Sequence, residues 1–219
     1  MSLRWPNPFS SQASYAIPLA TPLRELRFVI LDTELTSLNP HDNRLLSLGA
    51  IAMTGTKIHL GEQFYRLVNP GIPVPSDTVV VHKLRSNDVA RGETANEVLT
   101  AFQKFSEGAI LVGHFVRIDL NAIRKELAIE KRDFAQNAID TVRVHRWIVS
   151  RTKCAEDVGH AHEKLDLSSL SAVYGLDIHD THHALEDAFL TARLWQKLLC
   201  SIEKLGVRDL DSLLRIGST

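Results

Sequence analysis

Apolar residues gather in short runs in the first third of this chain and in helical stripes after it. Residues 27–32, 44–53 and 57–68 carry the Val, Ile, Leu and Phe content that suits strands. Two breaks separate them, Asn39-Pro40-His41-Asp42-Asn43 and Thr54-Gly55-Thr56, and the second is short enough for a hairpin. Asn69-Pro70-Gly71-Ile72-Pro73-Val74-Pro75 ends this sheet-forming stretch abruptly. From there the period changes. Val98, Leu99, Phe102 and Phe105 fall on one stripe and predict a helix over 95–105. Residues 110–112 read as a short buried strand closed by Gly113, and 120–127 as a helix. Residues 138–140 suggest another short strand, 141–149 a helix and 151–164 a polar loop. Residues 167–174 form a helix ended by Gly175, 184–199 a longer helix and 209–215 a terminal one. Three consecutive strands followed by helix-strand units describe an α/β domain with a mixed sheet flanked by helices.

Composition narrows this picture without changing it. The chain has 219 residues, 44% hydrophobic and 23% charged, enough for one sizeable core. Residues 1–25 hold Pro6, Pro8, Pro18 and Pro22 and read as an irregular arm, with Trp5, Phe9 and Tyr15 available to pack it down. Residues 26–219 then form the single domain. The formal net charge of −1 argues against a broad basic coat for nucleic acid, so any such binding is local. Cys154 and Cys200 are too few for a disulfide framework. The chain start lacks the long apolar core of a signal peptide, and no stretch reaches membrane-spanning length. The expectation is a cytoplasmic protein with no membrane partner.

Chemistry enters at the exit of the first strand. Residues 28–34 read Phe-Val-Ile-Leu-Asp-Thr-Glu. In an extended segment residues two apart share a side, so Asp32 and Glu34 point together. Two neighbouring carboxylates repel unless a cation lies between them, and Mg²⁺ or Mn²⁺ prefers such hard oxygen ligands. An isolated Asp-x-Glu is most often a solvated turn. Asp119 falls just past the strand at 110–112, where open α/β sheets bind ligands in the crevice at their strand ends. Asp187 lies in the first turn of the long late helix, and His182 precedes that helix. Taken singly, these residues suit ordinary helix starts.

Together they form an ordered set: Asp32-Thr33-Glu34, then His114-x₄-Asp119, then His182-x-Ala184-Leu185-x-Asp187-Ala188. Across roughly residues 26–200 the set resembles the DEDDh family of 3′–5′ exonucleases, which includes the proofreading subunit of bacterial DNA polymerase III. Val81-His82, Ile139-Asp140-Thr141 and Tyr174-Gly175 support the match. The resemblance implies a ribonuclease-H-like fold and a site built from Asp32, Glu34, Asp119, His182 and Asp187. The four acids would hold two Mg²⁺ or Mn²⁺. Asp32, Glu34 and Asp187 would take the nucleophile-side ion, and Asp32 and Asp119 the leaving-group side. His182, five residues before Asp187, would be the general base. The sister group's Tyr position is occupied by His183. This sequence departs from the family in Leu35-Thr36-Ser37 after Glu34, and in Phe115 and Ile118 where Asn and Phe are usual.

The implied activity is hydrolysis of single-stranded DNA from its 3′ end to nucleoside monophosphates. RNA 3′ ends are the alternative substrate, since a 2′-hydroxyl is sensed by local shape. A short-oligonucleotide phosphodiesterase and a non-catalytic nucleic-acid-binding module are further alternatives. A DNA polymerase subunit is a candidate partner. Leu35, Thr36 and Leu38 would meet the terminal base and sugar, His82 a phosphate, and His114 and Phe115 the substrate beside them. Phe115 suits either base stacking or core packing. His41, His59, His145 and His179 read as surface residues. Cys154, His160 and His162 lack a well-spaced fourth zinc ligand.

Overall fold

A computed structural model describes residues 17–74, 84–134, 136–152, 164–177 and 183–219. Its centre is a five-stranded sheet in the order β3-β2-β1-β4-β5. The strands are β1 (Arg27–Leu35), β2 (Leu45–Thr54), β3 (Lys57–Leu67), β4 (Ile110–Gly113) and β5 (Ala138–Asp140). The first three pair antiparallel, and β4 and β5 run parallel to β1. This is the mixed sheet expected from the sequence.

The helices are α1 (Ser86–Val89), α2 (Ala95–Phe105), α3 (Arg117–Ile129), α4 (Thr141–Thr152), α5 (Leu167–Val173), α6 (Ala184–Lys204) and α7 (Leu210–Gly217). The period-two alternation of β1 divides the core. Phe28 and Ile30 join Trp195 and Leu198 of α6, Ile148 of α4 and Leu213 of α7 on one face. Val29 and Leu31 join Leu99 and Phe102 of α2 and Leu120 and Ile123 of α3 on the other. The largest of these side chains, Trp195, is wholly buried and meets Phe28 edge-on at 5.5 Å. Each such apolar side chain contributes about 1.5–3 kcal/mol on burial. Both layers hold β1 in a fixed position between them. Among the described residues, no helix is long and apolar enough to cross a membrane.

The structure revises several expectations. α3 begins at Arg117, three residues before the periodic stretch, and α6 runs on to Lys204. A 3₁₀ turn at Leu23–Glu25 and the one-turn α1 carry no periodic signal. Leu23, near the end of the segment read as an arm, is buried in the main core beside Leu26 of the domain. His145, expected at the surface, is only 3% exposed on α4. The Tyr174 hydroxyl lies 3.0 Å from its Nδ1, which lets a polar ring sit in an apolar layer. His41 is exposed as expected, and His59 is half-buried with Thr54 Oγ1 at 2.9 Å. The polar loop at 151–164 lies largely outside the described residues, as do Trp5, Phe9, Tyr15, Cys154, His160, His162 and His179.

Candidate metal centre and active site

Because β1 alternates, Asp32 and Glu34 continue the Phe28–Ile30 face, on which α6 packs. The first turn of α6 brings Asp187 to them. Ligand oxygens of Asp32, Glu34 and Asp187 all lie within 4.8 Å of one another. Thr33, between the two strand acids, points to the opposite face. Its Oγ1 donates to Asp119 Oδ1 at 2.6 Å, so α3 delivers the fourth acid to the same strand end. Asp119 is 4% exposed.

The helix starts differ by role. Thr94, Asp166 and Asp209 cap α2, α5 and α7 with their side chains. Neither α3 nor α6 has a side-chain cap, and these two helices carry Asp119 and Asp187 in their first turns. Their N-terminal dipoles favour negative charge there.

Electrostatics at the strand end are adverse without a cation. Burial, then Asp119, Glu34 and Asp187 in turn, push the Asp32 carboxyl well above its ordinary value. Burial, with Asp187 and Asp119 behind it, raises Glu34 to about 8. Burial raises Asp119 to about 7, against the lowering effect of the Thr33 hydrogen bond, and Asp140 adds to the rise. Such a set of hard oxygens fits divalent cations, which would relieve this repulsion.

The remaining predicted residues separate. His182 and His82 lie outside the described residues. His183 is described: it occupies the N-terminal cap position of α6 in extended conformation without a side-chain capping bond, and its ring stacks on Tyr65 at 4.4 Å. His114 has both ring nitrogens engaged, Nδ1 with Thr141 Oγ1 at 2.9 Å and Nε2 with Leu165 O at 2.7 Å. A carbonyl accepts only, so Nε2 carries the proton and Nδ1 accepts from the hydroxyl. Burial lowers the pKa of this ring, against the raising effect of the Leu165 hydrogen bond and of Asp140. His114 thus ties the β4 exit to α4 and to the approach to α5. Phe115 is 39% exposed and meets His114 edge-on at 4.9 Å. The core-packing option for Phe115 is therefore excluded. Leu35 and Thr36 are buried, with the Thr36 hydroxyl accepting from Arg44 N at 2.9 Å, while Leu38 is 81% exposed.

The segment around Leu38 is fastened to α3. Arg44 donates to both oxygens of buried Glu126, at 2.7 and 3.1 Å, and Lys125 Nζ donates to the carbonyls of His41 and Asn43 at 3.0 and 2.8 Å. Thr33, Asp140 and Tyr65 adjoin the acids without having been assigned a role from sequence. For Thr33 the strand alternation was a usable signal. For Tyr65 it was not, because its approach to α6 depends on the sheet order.

A family model described as exonuclease matches residues 29–195 of the chain. A DNA polymerase III subunit epsilon-like protein of Rhodobacter capsulatus is 32% identical over 197 residues, covering 89% of this chain and 27% of that protein. DNA polymerase III subunit epsilon of Aquifex aeolicus is 28% identical over 191 residues, covering 86% of this chain and 89% of that one. The chain thus spans about a quarter of the first relative and most of the second. Among solved structures, E. coli exonuclease I in complex with a dT13 oligonucleotide superposes with a TM-score of 0.70 at 16% identity, over 83% of this chain and 42% of that one. That likeness establishes a shared fold.

Proposed function

We infer the function from one premise: the chain belongs to the exonuclease family whose model it matches over residues 29–195. We propose that it removes nucleotides one at a time from the 3′ end of single-stranded DNA, with residues 26–219 as the catalytic unit. The observation that carries this is the convergence of Asp32, Glu34 and Asp187 within 4.8 Å, with Asp119 held against Thr33 beside them. Two Mg²⁺ or Mn²⁺ held by these four acids would supply Lewis acidity and a water of lowered pKa. His182 is assigned as general base. Its ordinary pKa of about 6.5 leaves a useful neutral fraction at pH 7. The bond from phosphorus to the water oxygen forms and the bond to the 3′ oxygen breaks. The water's proton goes to His182, and the leaving oxygen takes a proton from solvent. A nucleoside monophosphate and a chain shorter by one are the products.

Exposed Leu38 and Phe115 are the side chains offered to the terminal base, since any base presents a face for stacking. Leu35 and Thr36 would contribute through the shape of the segment they anchor. The relatives' names make a DNA polymerase subunit the proposed protein partner.

A single time course tests the reading, using 3′- and 5′-labelled DNA and RNA, single- and double-stranded, with Mg²⁺, Mn²⁺ or EDTA. Expected are mononucleotides from the 3′ end of single-stranded DNA and no product in EDTA. Duplex should be slower, because unstacking the end costs a few kcal/mol. His182→Ala should lower turnover by about 10²–10⁴-fold. Efficient cleavage of circular single strands would overturn the assignment, and preferred hydrolysis of RNA would move it to the ribonuclease alternative.

A further inference from the structure

Glycine at position 49 is not explained by backbone conformation. Gly49 lies inside β2, in extended geometry that any residue adopts. Its role is steric. A Cβ built on it would stand 2.3 Å from Ala184 C and Leu185 N and 2.5 Å from Ala184 O. All three are backbone atoms of the start of α6, so no side chain can swing away to make room. On the strands either side, Gly49 is paired with Asp32 of β1 and Tyr65 of β3. Directly opposed residues share a sheet face. Across one face the order is therefore a proposed metal-site acid, a notch left by the missing side chain and an aromatic ring. The first peptide of α6 occupies the notch. The ring of His183, one residue earlier, stacks on Tyr65 at 4.4 Å with 28° between the planes. Three residues after Ala184 comes Asp187, whose oxygen reaches Asp32 and Glu34. Ala184 and Ala188 are themselves fully buried, so the helix starts close to the sheet.

We propose that Gly49 and Tyr65 form a seat that fixes the first turn of α6 and thereby sets the distance of Asp187 from Asp32 and Glu34. Both are positioning residues: neither carries a ligand atom of the cluster. A Cβ at position 49 must lift or tilt the helix start, and Asp187 moves with it. Loss of the Tyr65 ring leaves the notch but removes its wall. This rests on the reading of the acids as a cation site.

The test compares wild type with Gly49→Ala, Tyr65→Ala, Tyr65→Phe and Gly55→Ala. Gly55 lies in the β2–β3 turn at the opposite end of the sheet, where a Cβ would stand 2.8 Å from Arg24 O, so its substitution reports destabilisation alone. Mn²⁺ affinity is measured by calorimetry well below the melting temperature, alongside kcat and KM on 3′-labelled DNA. Gly49→Ala is expected to weaken Mn²⁺ binding by about 10–100-fold, the usual effect of disturbing a supporting residue. kcat should fall by about 10²-fold, the size expected for a displacement near 1 Å, with KM little changed. Gly55→Ala should lose melting temperature but keep Mn²⁺ affinity. Tyr65→Ala should weaken Mn²⁺ binding by a smaller factor, and Tyr65→Phe should restore it. Wild-type affinity in Gly49→Ala overturns the seat while leaving the exonuclease reading intact. If Gly49→Ala does not fold, the Tyr65 pair decides: equal affinity in the Ala and Phe variants overturns the inference. Wild-type protein that binds no Mn²⁺ overturns both readings.

Discussion

Asp32, Glu34 and Asp119 carry a proton balance that the whole fold feels. Glu34 gives up its proton at about 8 in the folded protein and near its ordinary 4.5 when unfolded. Between those values the folded state binds more protons, so stability falls as pH rises. Asp119, raised to about 7 from 3.8, acts in the same direction over its own window. Their stabilising effect is complete below about 4 and is lost as pH passes through about 7 to 8. The expected result in EDTA is a melting temperature that declines steadily from pH 5 to about 8.5, with Glu34→Gln flattening part of the slope. A flat or rising profile in EDTA would contradict the geometry of the cluster. The convergence of Asp32, Glu34, Asp119 and Asp187 was legible in the sequence because their order and spacing are linear facts, while His182 lies outside the described residues. His114 and His145 were not. One is spent on tying β4 to α4, and the other is buried against Tyr174. Both roles depend on partners at least 27 residues away in the chain.

At the scale of elements, the strands were legible because two-sided burial in a central sheet demands continuous apolar runs. The start of α3 was not. The chain turns from β4 into α3 through Phe115, whose φ is +52°. That left-handed conformation is ordinarily left to glycine, so a bulky aromatic there gives no turn signal. A strained residue that also exposes its ring suits a contact surface rather than packing. Two substitutions separate backbone from ring. Phe115→Gly should leave the melting temperature equal or higher, because glycine adopts positive φ freely. Phe115→Ala should change stability far less than the 3–5 kcal/mol typical of a buried Phe. Both should raise KM for single-stranded DNA by an amount matching about 1–3 kcal/mol of lost stacking. Unchanged KM in both variants would remove Phe115 from the substrate surface.

For the whole molecule, the site opposes the fold that builds it. Two apolar layers press β1, α3 and α6 together, and that compression drives four carboxylates to one strand end. A divalent cation held there would offset the resulting repulsion and should stabilise the native state by mass action, about 2.7 kcal/mol at a concentration one hundred times Kd. Protons and cations compete for the same oxygens, so the gap between Mn²⁺ and EDTA melting temperatures should widen as pH rises. Asp32→Asn isolates the conflict. The amide keeps the shape of the carboxyl and removes the ionisable group that faces Asp119, Glu34 and Asp187. At pH 8 in EDTA the variant should melt at or above the wild-type temperature. In Mn²⁺ the order should reverse, because the variant lacks a carboxylate proposed to hold the cation, and its thermal shift should nearly vanish. Activity should be lost in either condition. Were Asp32→Asn to melt lower than wild type in EDTA yet keep the full Mn²⁺ shift, Asp32 would be a structural acid and the cation would be bound elsewhere.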